Sequence, residues 1–243
     1  MRRWVLGLIV LVVVAVAVGC ERPTLTAEMT DDGPAVPVTR ESAISFIQKS
    51  VAAGQGASSG LVSWQVTQEE VTSFIALGAD LAELLQMQNR LGNLTPAERA
   101  RLDEILTRLE IDESQISTVL AQLEAQQEAA GLGGLPIPDL ALRLLLREPQ
   151  IYFRANGQII ARGYGEIRGR SQPIRLVFAP RASAGELELT FVEGMVGPIA
   201  VPDELINAVG SGVARAILAG NAYAEITELR VEEGVLTFGG QRK

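Results

Sequence analysis

The side chains able to do chemistry are few, and their scarcity narrows the field. The chain of 243 residues has one cysteine, Cys20, and no histidine. Its lysines are Lys49 and Lys243, and neither stands three residues after a serine. Without histidine there is no Ser-His-acid triad, no Cys-His pair and none of the common zinc sites, which draw on His and Cys ligands. A lone thiol cannot close an intramolecular disulfide. Paired carboxylates remain open, because glycoside hydrolysis needs only two acids. The acids here fall mostly at helix starts or on alternating strand positions, where solvation accounts for them. The expectation is a non-enzyme with no metal and no cofactor. A net charge of −8, from 29 acidic and 21 basic residues, argues against nucleic acid as a partner, since phosphate binding needs a basic face.

Cys20 takes its meaning from what precedes it. Arg2 and Arg3 form a positive start, Trp4 to Val18 is uncharged and apolar, and small residues stand just before the cysteine. A secretory signal peptide has this layout. The apolar run is short for a spanning helix, which needs about 20 residues. Val18-Gly19-Cys20 resembles a lipobox, the site cut before a cysteine that then receives lipid, with Ala17 standing where leucine is usual. Residues 1–19 are thus expected as a signal peptide and Cys20 as the lipidation site. The alternative is an uncleaved anchor with an incidental cysteine. Both place the rest of the chain on the extracytoplasmic face of a cell membrane, tethered to it.

The elements beyond Cys20 follow from periodicity and end signals. Residues 20–38, with Pro23, Asp31-Asp32-Gly33-Pro34 and Pro37, read as a flexible tether, and 39–243 as one domain. A helix starts near Glu41, carries Ile44, Ile47 and Val51, and ends in the Gly54–Gly60 cluster. Leu61 to Val66 is a short strand. Thr67 with Glu70 makes a capping box, in which the side chains satisfy orphan amides at a helix start; Val71, Phe74, Ile75, Leu77 and Leu81 then form the apolar face. Thr95-Pro96-Ala97-Glu98 and Asp112 with Gln115 repeat that signal. Segments 96–109 and 113–129 therefore form a helical pair within an insertion of about 92–135. Their stripes, Leu102, Ile105, Leu106 and Leu109, then Ile116, Val119, Leu120 and Leu123, read as core. An arm that binds an envelope protein partner is the alternative.

After the breaker Gly131–Pro138 the pattern turns to strands. Asn156-Gly157 between Ile151–Phe153 and Gln158–Ile160 is a strong hairpin signal. From Ile159 to Arg170 small or apolar residues alternate with polar ones, as on a half-exposed antiparallel strand. Strands at 174–179 and 187–192, a helix opened by Pro202 and a closing hairpin at 224–238 complete the order. The fold class is α+β: a curved antiparallel sheet wrapped around a long helix, with an inserted helical hairpin and an N-terminal signal or anchor.

The string from Phe191 to Asn207, FVEGMVGPIAVPDELIN, resembles a segment of membrane-anchored bacterial envelope proteins in which a strand turns through Gly and Pro into a long helix. Leu229 to Gly239 and Val66 to Phe74 are similar too. These features resemble the tubular lipid-binding superfamily over residues 61–85 and 150–240, with the insertion outside the match. The resemblance implies acyl chains held between sheet and helix, and no catalytic residues. Such a groove would be lined by Ile159, Ile167, Leu189, Phe191, Leu205, Val209 and Val213, with membrane lipid as the ligand. Gly163, Gly165, Gly169, Gly210 and Gly212 either leave room there or permit curvature and close packing. Charge is divided as well. Arginine recurs at 143, 147, 154, 162, 168, 170, 175 and 181 against only Glu148 and Glu166, whereas 183–240 is acidic. Arg154, Arg162, Arg168, Arg170 and Arg175 are candidates for resting on anionic head groups, each contributing about 1 kcal/mol near such a surface. Pairing with the acidic half is the other reading.

Overall fold

Two capping boxes set the first half of the fold. The computed structural model describes residues 32–55, 60–121, 125, 146–167, 170–183, 185–197, 201, 203–218 and 224–242. The signal segment, Cys20, the tether up to residue 31, Leu123, the 131–138 breaker, Arg168 and Gly169 lie outside them. Helix α1 (Arg40–Gln55) leads to strand β1 (Leu61–Thr67), which passes without a loop into helix α2 (Gln68–Met87). Thr67 accepts from the Glu70 amide at 3.2 Å and Glu70 accepts from the Thr67 amide at 2.9 Å. Helix α3 (Pro96–Leu109) opens on the reciprocal Thr95–Glu98 pair, with proline at its start. It ends at Glu110, which takes the left-handed conformation (φ 53°). Asp112 donates its amide to the Gln115 side chain, opening a short turn that continues as helix over 116–121.

The strands are β2 (Arg147–Phe153), β3 (Ile159–Ile167), β4 (Arg170–Ser183) and β5 (Glu186–Val196), then helix α4 (Asp203–Ile217), β6 (Ala224–Glu232) and β7 (Val235–Arg242). The Asn156-Gly157 turn closes β2 onto β3, with Gly157 at φ 84° as a tight hairpin requires. Instead of one curved sheet, the described strands form two antiparallel sheets. One has the order β2-β3-β4-β5 and the other β1-β7-β6. Helix α4 intervenes between β5 and β6, so the last hairpin pairs with β1 rather than extending the four-stranded sheet. Ile226 donates to the Gly185 carbonyl and Gly234 to the Phe153 carbonyl, each at 2.9 Å, joining the sheets at their ends.

One hydrophobic cluster runs through both sheets and the helices. Phe46 stacks on Phe74 at 4.4 Å, joining α1 to α2, and meets Trp64 at 5.6 Å, which stacks on Phe238 at 5.2 Å and so ties the helices to the three-stranded sheet. Leu102, Ile105, Leu106, Leu109, Ile116, Val119 and Leu120 are buried in the same cluster, so this part of the hairpin insertion packs on the body. Each such side chain, fully buried, contributes roughly 1.5–3 kcal/mol. Below them, Asp80 of α2 is fully buried and takes a 2.7 Å ion pair from Arg108 of α3.

Candidate functional site

Helix α4 lies against β5 and also reaches α2, across the inner face of the four-stranded sheet. Among the residues expected to line a groove there, Ile159, Val209 and Val213 are fully buried, while Leu189 and Phe191 on the edge strand are only partly covered. Ile167 ends β3 and Leu205 lies in the first turn of α4; the description of both stops at the backbone. The Phe191 ring meets Phe178 edge-on, with centroids 6.2 Å apart. The glycines on these faces are positions of close approach. A Cβ on Gly163 would sit 2.6 Å from the Arg147 carbonyl, and one on Gly210 would sit 3.0 Å from the Phe178 ring. The space beside each is already filled, by backbone in the first case and by an aromatic edge in the second.

The outer face of the same sheet carries a feature that alternation concealed. Tyr152, Ile160 and Val177, from three adjacent strands, form a second small cluster capped by Val36. Residues 32–38, expected as part of a free tether, are instead laid across this face, because Val36 has an apolar patch to cover and its neighbours have polar groups to meet. The Val36 amide donates to the Gln150 side-chain oxygen, and the Val36 carbonyl accepts from the Gln150 side-chain Nε2 at 3.2 Å. The Thr39 amide donates to the Ser73 hydroxyl at 3.0 Å, and Thr39 caps α1 by accepting from Ser42 at 3.1 Å. Asp32, 4% exposed, receives the Arg175 fork: Nε to Oδ2 at 2.7 Å and Nη2 to Oδ1 at 2.9 Å.

The arginines proposed to face a membrane are engaged within the molecule where their side chains are described. Arg154 pairs with Glu233 at 3.0 Å. Arg175 also bonds Glu193 at 2.8 Å, and its hydrogen bonds to Asp32 and Glu193 push the guanidinium still further into its charged form. Arg162 lies directly opposite Arg175 in the β3–β4 ladder, a like-charge pair that is unfavourable on its own. Its Nη1 is 3.8 Å from Asp32, and its guanidinium sits over the Tyr152 ring at 5.5 Å. Arg162 Nε and Nη1 are buried with no hydrogen-bond partner among the described residues. Burial raises the Tyr152 hydroxyl above its ordinary pKa. Arg170 begins β4, its backbone alone being described.

Sequence reasoning missed Asp32, Val36, Gln150 and Tyr152. The available signal was Val36-Pro37-Val38, the one apolar stretch in the expected tether. Elsewhere, two clefts of about 400 Å³ each flank the 113–121 segment, one against α1 beside Ile44 and Gln48, the other against Leu91 and Leu102. Among the described residues, no group of three or more His, Cys, Asp or Glu could hold a metal ion, and no helix is long and apolar enough to cross a membrane. No protein-family model, curated protein or solved structure matches the chain.

Proposed function

We propose that this is a non-catalytic, membrane-tethered extracytoplasmic lipoprotein, acylated on Cys20, that holds an acyl chain or similar apolar ligand between β5 and α4. The observation that carries the reading is the half-covered pair Leu189 and Phe191 on an edge strand against which α4, with its sealed Val209 and Val213, packs. An apolar chain entering there would meet aliphatic and aromatic surface without disturbing a polar group. The signal-like residues 1–20 and the likeness to tubular lipid-binding proteins support the same assignment. Native mass spectrometry of the full-length protein, released from detergent micelles, tests it. Discrete adducts that extraction resolves into acyl species support the reading. A clean protein mass after incubation with envelope lipid rejects it.

The two clefts around 113–121 favour a second reading, an adaptor lipoprotein that docks an envelope protein on its helical hairpin. Ser117 is exposed at the rim of one cleft. Ser117→Arg that releases a specific co-purifying envelope protein supports this reading, and an unchanged set of partners rejects it.

A further inference from the structure

We propose that Arg162 and Arg175 form a binding site for a phosphate oxyanion, which Asp32 occupies from within the chain. Three observations carry it. The two guanidinium groups stand opposite each other on neighbouring strands, an unfavourable like-charge pair that an anion between them relieves. Asp32 supplies that anion, but its carboxylate is drawn onto the Arg175 fork, at 2.7 and 2.9 Å, and makes only a long ion pair with Arg162. Arg162 is left 3.8 Å away, with Nε and Nη1 buried and unbonded among the described residues. A phosphate is tetrahedral, so one oxygen can face the Arg175 fork while another, out of that plane, reaches Arg162. Arginine forks match phosphate geometry, and charge-assisted bonds of this kind are the strong ones. Tyr152 beneath Arg162 and Glu193 on the far side of Arg175 hold the two guanidinium groups in place.

The Asp32 contact is the end of the 32–39 segment, whose remaining contacts at Val36, Gln150 and Ser73 do not involve the arginines. Phosphate can therefore displace Asp32 while Val36 stays seated. This site is separate from the β5–α4 contact proposed above to hold an apolar ligand and stands or falls without it.

The test uses the full chain in zwitterionic detergent micelles, titrated with inorganic phosphate against chloride at matched ionic strength, with amide hydrogen exchange as the readout. Phosphate is expected to raise exchange at residues 32–35 while leaving α2 unchanged. The same titration with micelles doped with phosphatidylglycerol separates the sources. A response to inorganic phosphate assigns a free phosphate, and a response only to doped micelles assigns a lipid head group. No response to either overturns the site. Asp32→Asn is expected to bind phosphate about tenfold more tightly than wild type, the scale of losing one internal competitor, and adding Arg162→Gln to it should abolish the gain. Equal binding with and without Arg162→Gln overturns the assignment. If Asp32→Asn does not fold, the wild-type exchange response alone decides.

Discussion

The two faces of the four-stranded sheet belong to the same strands, yet they are buried by different means. The inner face presents Ile151, Phe153, Ile159, Leu176 and Phe178 to the helices, inside a cluster that runs through the whole body. Among the described residues the outer face buries a small cluster of Tyr152, Ile160 and Val177, and its cover is a single residue of an extended segment, Val36, backed by an ion pair and amide contacts. One face is closed by interlocking secondary structure and opens only when the domain unfolds. The other is closed by a strip of chain with few apolar contacts and exposed neighbours, the description of a segment that opens locally at low free energy.

Substitutions on each side sharpen that difference. Phe178→Ala on the inner face is expected to lower the unfolding free energy by about 3–5 kcal/mol, read by urea denaturation. Gly163→Ala, where a new methyl group meets backbone, should cost about 1–3 kcal/mol as an overpacking defect. Ile160→Ala on the outer face should cost about 2 kcal/mol, the low end for such a truncation, since the covering segment can settle into the space. A loss matching that of Phe178→Ala would show the two faces to be one cooperative core. Val36→Ala should cost about 1 kcal/mol or less globally while raising hydrogen exchange through residues 33–38. Thermal melts across pH give the smallest effect. Glu98 and Glu104 are held below the ordinary carboxylate range, first by the Thr95 amide and by the Arg101 side chain respectively. Lowered values favour the folded state above that range, so the α3 contribution should be intact at neutral pH and fade as pH falls through the folded values.

Much of this architecture was legible because local signals and tertiary structure agree. The Thr67 and Thr95 boxes, the Asn156-Gly157 turn and the stripe from Leu102 to Leu109 each state their role within a few residues, and packing then rewards the same choice. The split into two sheets was not legible, since it depends on which distant strand β7 selects. The alternation along β3 put Ile159, Ala161, Gly163 and Gly165 on one apolar face and left Ile160 unassigned. That residue is outward, and is buried by a segment more than a hundred positions earlier in the chain. Composition made the segment look like a linker: Asp31-Asp32-Gly33-Pro34 has the residues of a flexible spacer. What fixes it is an arginine on another element. The candidate arginines were found by type, and their partners Asp32, Glu193 and Glu233 only by geometry.

The middle strand of the three-stranded sheet is also the last of the described elements to be synthesised. Val66 pairs with Leu236 and Trp64 with Phe238, so β1 waits for β7 before its ladder exists. Pairings between such distant parts of a chain close slowly and leave earlier strands exposed meanwhile. For a chain that emerges from its N-terminus, α1, β1 and α2 must remain without their closing strand until nearly everything else has been delivered. Premature termination before Val235 would strand two edges, β1 and β6, with their hydrogen-bonding groups open to any neighbouring chain.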